Sequence, residues 1–75
     1  MIENEKIIGT LTKNREEEVR VTTLLISGRP YISIGVFMKA DGLFRRGVTL
    51  SPHTISDLLP VLGVALKETQ ADERP

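Results

Sequence analysis

Through the first fifty positions β-branched and apolar residues tend to alternate with polar ones, and beyond them apolar residues recur every three or four. A period of two marks strands with one covered face, and a period near 3.6 marks a helix. Lys6-Ile7-Ile8-Gly9-Thr10-Leu11-Thr12 predicts a first strand over about 6–12, and a second follows at 19–27. In the second, Val19, Val21, Thr23 and Leu25 share one side, while Arg20, Thr22, Leu24 and Ile26 share the other. The third strand, 31–39, sets Ile32, Ile34, Val36 and Met38 against Tyr31, Ser33, Gly35, Phe37 and Lys39. A fourth spans 43–50.

The connections carry their own signals. Asn14-Arg15-Glu16-Glu17-Glu18 reads as a charged turn or mobile loop whose acids have no evident partner. Ser27-Gly28-Arg29-Pro30 is a turn by its Gly and Pro, and Asp41-Gly42 is a hairpin dipeptide. Ser51-Pro52 is a helix start: the hydroxyl accepts an orphan backbone N–H, and proline has none to lose. The helix is expected over about 52–69, with a frayed tail at 70–75. Ile55, Leu58, Leu59, Leu62, Ala65 and Leu66 form one apolar face, while Val61 and Val64 lie off it. Because that face runs in phase through Pro60, one bent helix is expected rather than two. The fold class is therefore α+β: a four-stranded antiparallel meander followed by one C-terminal helix, ββββα, in one domain spanning 1–75.

At 75 residues a single core buries little surface per residue, and without cysteine no disulfide can compensate. A helix apolar on more than one side then points to a homodimer, with Leu58, Val61, Leu62, Ala65 and Leu66 as the expected interface. No apolar run reaches the roughly 20 residues that span a bilayer, and the N-terminus carries no secretory pattern. The expectation is a cytoplasmic or nucleoid-associated protein with no membrane partner.

The zero net charge hides an asymmetry. Residues 1–18 and 51–75 each carry −2, while residues 19–50 carry +4 from Arg20, Arg29, Lys39, Arg45 and Arg46 against Asp41. A cationic strand body attracts phosphates by counterion release, although solubility alone also favours basic strand surfaces. Tyr31 and Phe37 on one stripe offer flat faces to unpaired bases, or else simply pack. No catalytic constellation is visible. His53 is the only histidine, no thiol is available, and no hydroxyl has an evident base partner, so neither an enzyme nor a metal or cofactor site is expected.

The order of elements and several short motifs resemble the positive cofactor four family of transcriptional coactivators, small single-stranded DNA-binding proteins. Glu18-Val19-Arg20-Val21, Gly28-Arg29-Pro30-Tyr31, Arg45-Arg46-Gly47-Val48-Thr49-Leu50 and Ser51-Pro52-His53-Thr54-Ile55 carry the resemblance, which covers roughly 18–66. Ser33 and Gly35 stand where the family usually has Asp and Arg. Ile26 and Met38 stand at positions often aromatic, and Ile55 at the helix tryptophan. The resemblance implies a homodimer that binds single-stranded DNA or RNA without sequence preference, in concert with transcription or replication proteins. The implied contacts are Arg20, Arg29, Tyr31, Phe37, Lys39, Arg45 and Arg46. The alternative is an interaction or scaffold module of the same fold that has lost the groove.

Overall fold

A computed structural model describes residues 1–72. Four strands, β1 (Ile2–Thr12), β2 (Glu17–Ile26), β3 (Arg29–Met38) and β4 (Phe44–Leu50), form one antiparallel sheet in the order β1-β2-β3-β4. Helix α1 (Pro52–Asp72) follows. The meander and the single helix thus match the pattern of period two giving way to period 3.6.

The hairpins follow from local chemistry. Ser27 and Gly28 both adopt positive φ, 52° and 81°, which a two-residue loop joining right-twisted strands requires. At the β3–β4 connection Gly42 has φ 72°, and Asp41 Oδ1 accepts the Leu43 N–H at 3.0 Å. Ser51 caps α1: its Oγ accepts the Thr54 N–H at 3.2 Å, and its carbonyl takes the Ile55 N–H at 3.0 Å. Pro60 lies inside α1, and the helix runs through it unbroken.

Four boundaries differ from the sequence pattern by two residues or more. β3 begins at Arg29 rather than Tyr31, because Arg29 and Pro30 pair with Ile26 and Leu25 instead of staying in the turn. β1 begins at Ile2 rather than near residue 6, because Ile2 and Glu3 pair with Ile26 and Leu25 across an irregularity between Glu3 and Lys6. Asn4 there takes φ 52°. β2 begins at Glu17 because its acids are paired rather than loose. Glu17 holds Lys13 at 2.8 Å, and Glu18 holds the Arg20 Nε at 2.7 Å. Asn14 Oδ1 closes the connecting turn by accepting the Glu16 and Glu17 N–H groups at 2.9 and 2.8 Å. α1 extends to Asp72, so the first three residues of the expected tail are helical, and the remainder lies outside the described residues.

Both outer strands are interrupted. β1 shifts register twice, between Glu3 and Lys6 and between Ile7 and Gly9, and β4 shifts once opposite Val36 and Phe37. These are β-bulges, which bend a strand and change which side chains share a face.

The core is thin. Among the described residues Leu24 is the only large apolar side chain that is buried. α1 meets the sheet chiefly along β3, and only Ile55 and Leu58 among its described apolar side chains are partly covered. Leu59, Val61, Leu62, Val64 and Leu66 are all at least half exposed. The radius of gyration is 14.5 Å, against about 11 Å for a compact chain of this length. Among the described residues, most of the helix is therefore left uncovered by the rest of the chain.

Candidate nucleic-acid interface

Register decides which side chains meet. Arg20 on β2 stands opposite Gly35 on β3, which stands opposite Gly47 on β4. Alternation then sets Glu18, Arg20 and Thr22 on the same face as Tyr31, Ser33 and Phe37. On β4 the bulge intervenes: Arg46 pairs with Val36, yet Phe44, two residues earlier, pairs with Phe37. The extra residue, Arg45, turns Phe44 onto the face of Phe37.

The result is a row of three side chains across three strands. The Arg20 guanidinium carbon lies 4.1 Å from the Phe37 ring centroid. The Phe37 and Phe44 rings meet edge to face, with centroids 5.5 Å apart and planes at 69°. The two glycines leave room beneath them. A Cβ on Gly35 would fall 2.8 Å from Phe37 Cε1 and 3.4 Å from Phe44 Cε1. Phe37 is half-buried in this row, whereas Phe44 is 59% exposed.

Beside the row runs a groove of about 290 Å³, lined by Glu5, Ile7, Arg20, Thr22 and Phe37. Arg20 faces it with its Nε already bonded to Glu18. Glu5 makes no side-chain hydrogen bond or ion pair among the described residues. A second groove of about 360 Å³ lies at the other end of the sheet, with Leu24, Pro30, Tyr31, Ile32 and Pro52 among its walls.

The seven expected contacts do not gather in one place. Arg20 and Phe37 touch. Lys39 reaches the rim of the same region, where its Nζ approaches Thr12 Oγ1 at 3.4 Å. Tyr31 shares the face of Phe37 but sits six residues along β3, about 20 Å away at strand rise. Arg29 lies beyond Tyr31, exposed at the β2–β3 hairpin.

Arg46 pairs with Val36 and so belongs to the opposite face, where it approaches Glu17 Oε2 at 3.9 Å. Arg45, in the bulge, leans its Nη1 to 3.5 Å from the Met38 sulfur. Adjacent in sequence, these two arginines are parted from Arg20 by the pleat.

Phe44 is the member of the row that the sequence pattern did not single out. Counting back from Gly47 by strict alternation assigns it to the wrong face, and only the bulge corrects the parity. The one visible signal was the pair of glycines, Gly35 and Gly47, each with a Phe within three residues.

Glu17 is the one described group with a shifted acidity. The hydrogen bond from Lys13 chiefly, then that from Asn14, holds its carboxyl below the ordinary carboxylate range, with weaker help from the Lys13 and Arg46 charges. This pins the start of β2 rather than creating a reactive group.

No group of three or more metal-ligating acids or histidines occurs among the described residues, and no helix there is long and apolar enough to cross a membrane. No protein-family model, curated protein or solved structure matches the chain.

Proposed function

We propose that this chain acts as a homodimer that holds single-stranded nucleic acid, DNA or RNA, against the sheet face carrying Arg20, Phe37 and Phe44. The observation that carries the reading is the exposed Phe44 ring, propped edge-on against Phe37 above two glycines. An apolar ring held at 59% exposure on a sheet face suits stacking by an unpaired base, and such a contact is worth about 1–3 kcal/mol. Arg20 and Lys39 supply positive charge at the same end of the sheet, and the ββββα order agrees with the family resemblance. A role in transcription, replication or repair follows from that ligand class.

Self-association rests on a separate observation. A single buried large apolar side chain does not supply the stability a domain needs, and the uncovered arc of Val61, Leu62, Ala65 and Leu66 offers a second copy apolar surface to bury. Leu58 is partly covered within the chain and falls on the same side of the helix as that arc, one turn nearer the sheet.

The rival reading is a dimeric scaffold of the same fold. What favours it is local neutralisation: Glu18 already holds Arg20, and Glu17 lies near Arg46.

A fluorescent single-stranded oligonucleotide titrated at two salt concentrations decides between them. Salt-sensitive binding at micromolar or lower concentration is expected. Phe44→Ala should weaken it about 5- to 150-fold at either salt, from the stacking energy above. Arg46→Ala, on the other face, should change little. No binding at low salt would leave the scaffold reading standing, and sedimentation as a stable folded monomer would remove the dimer.

A further inference from the structure

Resting on that reading, we infer that the groove beside Phe37 selects guanine among unpaired bases, with Glu5 accepting from its Watson–Crick edge. Four features converge on a base of that kind. The groove, about 290 Å³, is large enough for one purine and is open to the sheet face where a strand would lie. Its walls combine an apolar side chain, Ile7, with an arginine already aligned over an aromatic ring at 4.1 Å. Bases stack readily on such guanidinium and aromatic planes. Polar groups of both kinds also line it: the Glu5 carboxylate accepts only, and the Thr22 hydroxyl both donates and accepts.

The distribution of free hydrogen-bonding capacity separates guanine from the other bases. Glu5 has both carboxylate oxygens uncommitted among the described residues. Arg20 has spent Nε on Glu18 and lies over Phe37. The strongest edge reader in the groove is therefore a two-oxygen acceptor.

Guanine alone presents two adjacent donors, N1–H and the N2 amino group, that such a carboxylate can take together. Its neighbouring O6 then needs one donor, which the Thr22 hydroxyl supplies. Cytosine presents the reverse, one donor beside two acceptors, and would need the arginine rather than the acid as its two-point partner. Adenine offers one donor on that edge, and thymine and uracil hold theirs between two acceptors.

The test uses the full-length protein and oligothymidylate strands carrying one central substituted base: guanine, inosine, adenine or cytosine. Fluorescence anisotropy at fixed salt reads the affinities. The guanine strand is expected to bind about tenfold or more tighter than the all-thymine strand, the scale of a two-point base contact. Inosine, which lacks the N2 amino group, should forfeit most of that gain. Glu5→Gln should abolish the guanine preference, bringing the guanine and all-thymine strands to equal affinity. Arg20→Lys, which removes the planar stacking surface while keeping the charge, should weaken all strands.

Equal affinity for all five strands, the all-thymine strand included, overturns the guanine assignment while leaving single-strand binding in place. A cytosine preference, or a guanine preference that survives Glu5→Gln, overturns the role given to Glu5. Guanosine monophosphate binding as tightly as the guanine strand overturns the assignment to a strand. Silence toward every oligonucleotide overturns this inference and the reading it rests on together.

Discussion

Gly47→Ala tests how closely the two central glycines bring β3 and β4 together. A methyl at Gly47 would fall 2.6 Å from the Ile34 carbonyl oxygen, 2.8 Å from the Gly35 Cα and 3.2 Å from Phe44 Cε1. Carbon atoms rest comfortably at about 3.5–4.0 Å, so the nearest backbone carbon is too close by roughly 1 Å. Two of the three obstacles are main chain and cannot rotate aside. The strands must part locally, and overpacking of that kind costs about 1–3 kcal/mol.

Replacing glycine inside a strand restores about 0.5–1 kcal/mol by restricting the unfolded chain, which leaves a net loss of roughly 0.5–2 kcal/mol. With a urea slope of about 2 kcal/mol per molar, the unfolding midpoint should fall by roughly 0.25–1 M. The measurement must be made at one fixed protein concentration, because association shifts apparent stability. Gly9→Ala is the control, since a methyl there meets nothing within 4 Å. Gly35→Ala is the informative comparison. Its nearest obstacle is the Phe37 ring, a side chain that can swing away, so stability should drop less while Phe37 leaves Arg20. The loss of ring-current shift on the Arg20 side-chain protons would report that movement by NMR. An unchanged midpoint for Gly47→Ala, or a larger loss for Gly9→Ala, would refute the packing argument.

Other substitutions probe separate links. Ser51→Ala removes the cap from Thr54 and should cost about 0.5–2 kcal/mol in chemical denaturation, whereas Ser51→Asp should be tolerated. Pro60→Ala restores a helical N–H and should raise the thermal midpoint and the helical circular dichroism. For Glu17 the sign is set by a folded-state pKa below that of the unfolded chain. Its contribution is complete above the ordinary carboxylate range and is lost as pH falls through the lower folded value. Lys13→Met should move the Glu17 carboxyl titration, followed by NMR, upward toward the ordinary range.

Much of the architecture was legible because its signals are local. Asp41-Gly42 and Ser27-Gly28 set their turns through residues that accept positive φ, and Ser51-Pro52 set the helix start. The apolar phase through Pro60 indicated a single helix, which is what forms. The start of β1 was not legible, because Met1 to Lys6 is mostly polar and pairs only by way of an irregularity at Asn4. The acids at 16–18 looked unpartnered because Lys13 and Arg20 reach Glu17 and Glu18 only once the strand and turn exist. The candidate site was read least well. Strand parity holds until a bulge reverses it, and Arg45 reverses it at the point that matters. Phe44 thereby joins Phe37, while Arg46 faces away from Arg20. A period-two count has no means of registering one inserted residue.

The bulges on β1 and β4 bear on how this molecule behaves when crowded. Both outer margins of the sheet carry broken hydrogen-bonding ladders, at Asn4 and Ile8 on one side and at Arg45 on the other. A neighbouring copy approaching from either flank meets an irregular edge strand, so edge-to-edge pairing of sheets into fibrils is disfavoured. Open-ended growth of the sheet is thereby limited in a chain with so much uncovered apolar surface.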